Sequence, residues 1–299
     1  MRFVFNYPEA HGLGRDLLDS GEIGDVAAAA EQAGFSGFGL TEHPAPGANW
    51  LAHGGHQTLD PFVGLAFAAA ATERLHLITY VSVAPYRSPL LLAKSAASLD
   101  RLSHGRLRLG IGTGYHKTEF FALGVDFGER NALFDEALEV LPRAWSGEPF
   151  DAEGLHFTAR SVLQLPRPAQ CPIPIWIGGN SALTRRRVAE RAQGWMPMWV
   201  PEEVAASTRS PSIASLGRLA EMIAEVRELA GDRADEIDIC MSYPGPGIDR
   251  PTEDVERHRS TIAELAAMGV DWISLSHPAG EPTAILDFLD AFGQTYCRE

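Results

Sequence analysis

Residues 75–112 decide the fold, because they have the pattern of a strand, a helix and a second strand in succession. The first strand is Leu75–Val83 (LHLITYVSV) and the second is Leu107–Gly112 (LRLGIG). Between them, Pro89–Leu102 (PLLLAKSAASLDRL) has the pattern of a helix that stops near Gly105. A strand, a helical crossover and another strand predict two parallel neighbours in one sheet.

The same alternation extends in both directions from this unit. Six further strands are predicted at Arg2–Asn6, Gly37–Leu40, Pro174–Ile177, Trp195–Met198, Ile237–Met241 and Val270–Leu275. Seven further helices are predicted at Gly24–Ala33, Pro61–Ala71, Asn131–Trp145, Leu183–Gln193, Ile213–Ala230, Thr252–Met268 and Thr283–Tyr296. We expect Gly194 to end the fifth helix and Thr252 to cap the seventh.

Eight strictly alternating units predict an α/β protein whose strands close into a (β/α)8 TIM barrel. An open doubly wound sheet is the alternative, although no GxGxxG opens a helix after the first strand. We expect residues 1–299 to form a single domain, with insertions after strands two and four and before strand five. The glycine-rich loop Ala45–Gln57 is the first insertion, and residues 146–171, with a hairpin-like stretch at 155–165, are the last.

Composition excludes several classes of protein. The 299 residues carry 25 basic and 39 acidic side chains, a net charge of −14, which disfavours nucleic acid and anionic membrane surfaces as partners. The three cysteines share no CxxC spacing, which favours a reducing compartment. The most apolar stretch, Val63–Ala71, is about half a membrane span. We therefore expect a cytoplasmic protein with no membrane partner.

In barrels of this kind the active site lies at the carboxyl ends of the strands. Glu42 and His43 follow strand two, Trp199 follows strand six and His277 follows strand eight. A histidine at such a position can hydrogen-bond a substrate hydroxyl and exchange its proton. The alternatives are that His43 only caps a loop and that Glu42 is structural, buried against an arginine.

Glycines at two strand ends suggest a close approach of the backbone to a ligand. Gly178-Gly179-Asn180-Ser181 precede a helix that also carries Thr184, so amide groups, hydroxyls and the helix N-terminus can favour an anion. A tight turn with Ser181 as the N-cap explains the pattern equally. Gly110–Gly114 either packs at the barrel mouth or approaches a flat ligand.

Three further patterns have ordinary structural interpretations. Arg185–Arg187 is expected on a solvated helix face, and Trp195–Trp199 is interpreted as a half-buried strand, although an aromatic ligand could use it. His53 and His56 have no acidic neighbours at ligand spacing, and metal sites need three or four ligands. We therefore predict no metal, which argues against a metal-dependent barrel hydrolase.

Four stretches, taken together and in this order, resemble the luciferase-like monooxygenase superfamily of bacterial luciferase relatives and coenzyme F420-dependent oxidoreductases. They are Gly37–His43, Val83–Pro89 with Ala93–Gly105 behind it, Gly110–Lys117 followed by Phe120–Glu136, and Pro174–Gly179. The resemblance spans nearly the whole chain. It implies a flavin or deazaflavin at the barrel mouth.

The resemblance also implies roles for single residues. A non-proline cis peptide that supports the ring falls near Tyr80–Val81, and His43 matches the histidine that faces ring and substrate. The positions implied to contact the cofactor tail and its phosphate are Thr113, Gly114, Tyr115, Gly178, Gly179, Asn180, Ser181 and Thr184. Relatives that oxidise a sugar phosphate carry glutamate where this chain has Tyr115, which weakens the case for that activity.

Coenzyme F420 with hydride transfer to or from a small organic substrate is the favoured function, with FMN as the alternative. Only Lys94 and Lys117 are lysines, and an arginine bias fits the GC-rich genomes of many deazaflavin makers. FMN would imply a two-component monooxygenase fed by a separate reductase; a flavin-binding protein without turnover is a further alternative. Substrate is expected against Trp50, Trp199 and His277, and a homodimer is expected through helical faces at Phe67–Ala71 and Leu91–Leu99.

Overall fold

The computed structural model describes residues 1–12, 14–200, 211–278 and 280–297. The described strands are β1 Arg2–Asn6, β2 Ala10–His11, β3 Gly37–Leu40, β4 His56–Gln57, β5 His76–Thr79, β6 Ser82–Val83, β7 Leu107–Gly112, β8 Phe150–Glu153, β9 Thr158–Val162, β10 Ile175–Gly178, β11 Gly194–Met196, β12 Asp238–Ser242 and β13 Trp272–Leu275. The described α-helices are α1 Ile23–Ala33, α2 Ala48–Ala52, α3 Pro61–Ala71, α4 Pro89–Leu102, α5 Lys117–Ala122, α6 Arg130–Trp145, α7 Ala182–Arg191, α8 Leu216–Ala230, α9 Val255–Ala267 and α10 Pro282–Phe292.

Eight parallel strands close into a barrel. Around the ring the order is β1, β3, β5, β7, β10, β11, β12 and β13, and β13 pairs with β1 to close the barrel. The two halves of the chain also meet at the pairing of β7 with β10, where Leu109 lies opposite Ile175. Helices follow the barrel strands on the outside. The predicted (β/α)8 barrel is confirmed, and the open doubly wound sheet is wrong.

The predicted third strand is interrupted at the barrel mouth. β5 ends at Thr79, and the short β6 then pairs with the end of β7, Val83 opposite Gly112. The peptide bond Tyr80–Val81 between the two segments is cis, as the family resemblance implied.

Two expected helix ends are wrong. Helix α7 ends at Arg191, and Gly194 is instead the first residue of β11. A side chain there has no room, because a Cβ on Gly194 would lie 2.2 Å from Cδ1 of Trp176. Helix α9 begins at Val255. Thr252 lies in the preceding turn, in which the Glu253 amide donates to the Arg250 carbonyl, and it does not cap the helix.

The barrel interior is a packed core below the mouth. Its buried side chains are those of Val4, Ile78, Trp176, Met196, Cys240 and Trp272, and Tyr80 and Val81 pack on top of it. A larger core fills the space between strands and helices. Because filled layers of side chains are typical of such barrels, a ligand can bind only above this layer, at the carboxyl ends of the strands.

Two small antiparallel ribbons are added to the barrel. β8 and β9 form a hairpin within the predicted insertion 146–171. β2 and β4 pair Ala10 with Gln57 and His11 with His56, so they join the loop after β1 to the loop after β3. Within the described ranges, every helix is too short or too polar to span a bilayer.

Candidate active site

A cavity of about 610 Å³ lies at the carboxyl ends of the barrel strands. It brings together most of the side chains predicted for the site: Glu42, His43, Tyr80, Val81, Thr113, Gly114, Tyr115, Gly178, Gly179, Asn180, Ser181, Thr184 and His277. Trp50 and Trp199 do not line it. Trp50 stands one layer behind, its ring 4.6 Å from that of His43, and Trp199 packs against the main core instead.

His43 is held by a carboxylate that sequence reasoning missed. Its Nδ1 lies 3.1 Å from Oε2 of Glu119, a fully buried residue of α5. The Tyr86 hydroxyl donates to the same oxygen at 2.9 Å, and the Ala45 amide donates to Oε1 at 3.2 Å. Burial raises the pKa of the Glu119 carboxyl, but its hydrogen bonds outweigh burial and hold the pKa below its usual value.

This pairing fixes the tautomer of His43. An ionised carboxylate only accepts hydrogen bonds, so Nδ1 of His43 must carry the hydrogen that Glu119 receives. Nε2 is then the nitrogen free to accept a proton when the imidazole is neutral. The ring forms part of the cavity wall. The arrangement therefore suits a base whose orientation is set by a buried partner.

Glu42 is structural. It is buried and forms an ion pair with Arg87, and it accepts hydrogen bonds from the Ser82 hydroxyl at 2.9 Å and the Val83 amide at 2.6 Å. Burial raises the pKa of this carboxyl, and Arg87 and the two other donors act against that rise. Because its oxygens hold β6 and Arg87 in place, Glu42 belongs to the frame of the mouth. The sequence-based alternative of an acid buried against an arginine is the one that the structure shows.

The end of β10 and the start of α7 form an anion cradle, which we define as Gly178–Ser181 and Thr184. Ser181 caps the helix, accepting from the Thr184 amide at 3.0 Å, and the two hydroxyls lie 2.9 Å apart. Gly179 has φ +122°, a conformation that side chains rarely adopt. The expected capping role of Ser181 is confirmed. The capping role is compatible with the hypothesis that this turn binds an anion, because the amides of a helix N-terminus and the two hydroxyls favour negative charge.

Asn180 holds the cradle to the next loop. Its amide group donates to the carbonyls of Met198 and Pro211, both at 2.8 Å, and its oxygen accepts from the Met198 amide at 2.8 Å. The residue is 1% exposed. Its side chain is fully used by the protein, so only its backbone remains for a cofactor.

Two of the three arginines at 185–187, which were expected on a solvated helix face, are buried, whereas Arg186 is exposed as expected. Arg185 bonds the Asn180 carbonyl and Glu225, and Arg187 makes a two-point pair with Asp135 at 2.7 and 2.8 Å. Both are buried, because α7 packs against its neighbours through the stems of these side chains. They stabilise the helix behind the cradle.

Val81 forms a small apolar platform between two glycines. A Cβ on Gly112 or on Gly178 would lie 3.0 Å from a methyl group of Val81, so bare backbone is required on both sides. Next to it, the hydroxyl of Tyr80 accepts from Ser274 at 2.7 Å, and burial raises the pKa of that hydroxyl. A planar ligand fits against such a surface.

The β2–β4 ribbon brings a group of rings over the other side of the cavity. The His56 ring lies 4.8 Å from that of His43 and 5.7 Å from that of His11, and Trp50 lies 4.9 Å from His116. Burial, together with the neighbouring histidines, lowers the pKa of His56 to about 3. Burial also raises the pKa of Tyr115 to about 12. His56 and Tyr115 are therefore neutral at physiological pH.

The remaining predicted residues are placed as follows. His277 lines the cavity, and its Nδ1 lies 2.9 Å from the Pro278 carbonyl oxygen. His53 lies on the outside, 2.7 Å from the Asn49 carbonyl oxygen, while His56 faces the cavity, so the two do not form a pair. Among the described residues, no cluster of three or more His, Cys, Asp or Glu could hold a metal ion.

Glu119 and Glu9 are two of the site residues that sequence reasoning did not identify. Glu119 is 76 positions from His43, and no spacing rule links the ends of strands two and four. The one available signal was its position on the short helix that follows Gly114. Glu9 lies beside a two-residue strand that only the fold reveals.

A closed barrel with a histidine–carboxylate pair and a helix N-terminus at one mouth places the chain among (β/α)8 proteins whose sites lie at the carboxyl ends of the strands. Comparison with known proteins narrows this class. The model of the luciferase-like monooxygenase family matches residues 1–244, and the chain therefore belongs to that family.

Individual relatives agree with this assignment. An uncharacterised protein of Mycobacterium bovis is 33% identical over 184 residues, 57% of this chain and 65% of that protein. An F420-dependent glucose-6-phosphate dehydrogenase of Nakamurella multipartita is 30% identical over 225 residues, 74% of this chain and 62% of the relative. The chain thus spans less than two thirds of the length of these curated relatives. The crystal structure of monooxygenase RslO1 from Streptomyces bottropensis matches with a TM-score of 0.78, 23% identity and coverage of 99% and 98% of the two chains.

Proposed function

We propose that this protein is an oxidoreductase that binds coenzyme F420 and exchanges hydride with a small organic substrate. The observation that carries the proposal is that the His43–Glu119 pair and the anion cradle face one cavity. The family has both flavin- and F420-dependent members. The F420-dependent relative from Nakamurella and the arginine bias of the chain favour the deazaflavin.

The residues present fit an anionic cofactor with a planar ring. The hydroxyls of Ser181 and Thr184 and the backbone amides of the first turn of α7 would hold a phosphate of its tail. Arg130 also lines this part of the cavity and adds positive charge. The ring would lie against the Val81 platform. In a protein of net charge −14, such local groups must supply the attraction.

The bound cofactor would supply a two-electron acceptor or donor, and the protein would supply position and proton transfer. In the oxidation of an alcohol, Nε2 of His43 would accept the hydroxyl proton, and the bound cofactor would supply the acceptor for the hydride. The product is a carbonyl compound. Glu119 stabilises the imidazolium that forms, because its carboxylate already faces Nδ1. Reduction of a carbonyl is the same step in reverse.

The surroundings of Tyr115 and Tyr86 determine the protonation states of these two side chains near His43. Tyr115, with its pKa raised to about 12, remains a hydroxyl and serves as a hydrogen-bond donor. Tyr86 keeps its proton as well, since burial and the neighbouring Glu119 raise the pKa of its hydroxyl. His43, whose Nδ1 faces the Glu119 carboxylate, is the group in this wall that we assign as the proton acceptor.

The test is hydride transfer followed in stopped flow, with F420-loaded protein and a panel of alcohols and carbonyl compounds. We expect turnover in the wild type and a loss of at least a hundredfold in H43A with cofactor affinity unchanged. Unchanged turnover in H43A would contradict the role of His43. Turnover only with FMN and oxygen would support a two-component monooxygenase, and binding without turnover would support a flavin-binding protein.

A further inference from the structure

The cavity has two chemically different ends, and the barrel topology places them opposite each other. Around the closed ring, β1 and β10 are separated by three strands in either direction. Glu9 follows β1, and the anion cradle follows β10. Both line the same cavity. Glu9 therefore faces the cradle from across the mouth.

The cradle end is positive. It contains the N-terminus of α7, and Arg130 and Asn131 line the cavity beside it. These two residues belong to the start of α6, which Arg187 of α7 ties down through the Asn131 side chain and carbonyl at 3.1 and 3.0 Å. Arg130 is the one lysine or arginine among the described residues that line the cavity. The cofactor's negative charge thus belongs at this end.

The opposite end is rich in hydrogen-bond acceptors. Oε1 of Glu9 lies 3.3 Å from Nε2 of His56, whose imidazole is neutral because burial lowers its pKa to about 3. Burial raises the pKa of Glu9, and the Thr41 hydroxyl and nearby histidines act against that rise. Side-chain exposure of Glu9 is 26%, so its carboxyl keeps contact with the cavity.

Buried polar atoms in the cavity lining without a hydrogen-bond partner include Oδ1 of Asn6, Oγ1 of Thr41 and Nδ1 of His116. Nε2 of His56 lies 3.3 Å from the Glu9 carboxylate but forms no hydrogen bond with it. Buried polar atoms are nearly always paired in folded proteins, so these positions suit a polar ligand. An amide oxygen accepts, a neutral imidazole has one accepting nitrogen, and a carboxylate only accepts. The complementary ligand must therefore donate hydrogen bonds.

Aromatic and imidazole rings line the part of the cavity that the body of a ligand would contact. His43, Tyr115 and His116 line the cavity, and Trp50 backs them with its ring 4.9 Å from that of His116. The rings of Tyr115 and Trp50 offer uncharged apolar faces, and the Glu119 carboxylate lies behind the His43 ring, 3.1 Å from its Nδ1. An uncharged molecule with an apolar skeleton and a donating hydroxyl matches this wall. A phosphate or a carboxylate, which only accepts hydrogen bonds at neutral pH, does not.

We propose that the substrate is an uncharged hydroxyl compound and that Glu9 is the residue that selects it over anionic analogues. This inference rests on the proposed function, because it assigns the cradle end to the cofactor. It would set the chain apart from its glucose-6-phosphate dehydrogenase relative, whose substrate is phosphorylated.

The test uses 1-phenylethanol and mandelate, which share a skeleton and a secondary hydroxyl and differ by a methyl group against a carboxylate. Uptake of F420 and of FMN is measured first, by equilibrium titration. The two probes are then titrated by calorimetry into protein loaded with the cofactor that binds, at mildly alkaline pH. The variants are Glu9→Gln and, as a control, Glu228→Gln, an exposed carboxylate on α8.

We expect the wild type and Glu228→Gln to bind 1-phenylethanol at least tenfold more tightly than mandelate, and Glu9→Gln to reduce that ratio to threefold or less. A ratio near one in the wild type, a ratio unchanged in Glu9→Gln, or no binding of either probe to loaded protein would overturn the inference. Failure to take up either cofactor would instead overturn the proposed function, so the two failures are distinguishable.

Discussion

At the residue scale, Glu119 acts on the reaction only through His43. Because its carboxylate fixes the hydrogen on Nδ1 and balances the imidazolium, we expect Glu119→Gln to lower kcat roughly ten- to hundredfold, less than the loss of the base itself. The KM and the cofactor affinity should change little, and Glu119→Asp should restore part of kcat. Stopped-flow and steady-state kinetics measure these effects.

The matched control is Glu129→Gln, which removes the carboxylate from a histidine–carboxylate pair on the surface, with His156. We expect it to leave kcat unchanged. An equal loss of kcat in both variants, or a loss confined to KM in Glu119→Gln, would show that Glu119 does not position the base.

The lowered pKa of Glu119 also predicts a pH dependence of stability. In the unfolded chain a glutamate has a pKa of roughly 4.3, and the folded value is lower, so the ionised form stabilises the fold above that pH. This stability is lost as the pH falls through the folded value. Urea unfolding should therefore show a steeper loss of unfolding free energy below about pH 4 in the wild type than in Glu119→Gln. Parallel pH profiles would contradict the assignment.

Glu42 is expected to affect stability rather than chemistry. Glu42→Gln leaves Arg87 without its partner in a largely buried place and should cost roughly 3 kcal/mol of unfolding free energy. Glu139→Gln, which removes half of the exposed Arg143 pair, should cost less than about 1 kcal/mol. Urea unfolding compares the two. Similar small losses would mean that the buried pair does not hold the mouth together.

At the scale of elements, the cradle depends on one backbone conformation. A side chain at Gly179 is strained at φ +122°, so Gly179→Ala should cost about 1–2 kcal/mol and displace the adjoining N-terminus of α7, whose amides would face the anion. We expect roughly tenfold weaker cofactor binding, about 1.4 kcal/mol. Gly231→Ala, at φ +56° at the C-terminal end of α8, should share the stability loss and keep the affinity. Equal affinities in both variants would argue against the cradle.

Elements with strong local signals were predicted best. Helices α3 and α4 have the predicted bounds, because Asp60 and Ser88 cap them ahead of a proline in the first turn. The β2–β4 ribbon was missed, because two-residue strands carry no periodic pattern and form only when two loops meet over the closed barrel. The substrate end of the cavity depends on that ribbon, so its chemistry could not be read from local sequence.

The site shows the same division between local and long-range information. The cradle and His43 were identified because each lies directly at a strand end, where one rule of barrel geometry applies. Glu119, Glu9 and the burial of Arg185 depend on contacts between distant segments. Trp199 was placed at the substrate by its strand alone, and its packing against the core shows that a strand end does not fix the direction of a side chain.

At the scale of the whole molecule, α3 and α4 present the face expected for a homodimer. Val63, Phe67 and Leu91 are 60%, 65% and 63% exposed on these adjacent helices, an apolar surface that a second copy of the chain would cover. Phe67→Glu should convert a dimer to monomers in sedimentation velocity. Leu229→Glu, at a 52% exposed leucine of α8, should leave the dimer intact. A monomeric wild type, or a dimer that survives Phe67→Glu, would contradict this interface.

The central claim, that this family member is built around F420, is tested most directly by parallel equilibrium titration of the purified protein with F420 and with FMN. We predict that F420 binds at least tenfold more tightly than FMN, and that Gly179→Ala weakens F420 binding while Gly231→Ala does not. Tighter binding of FMN, or no binding of either, would contradict the account.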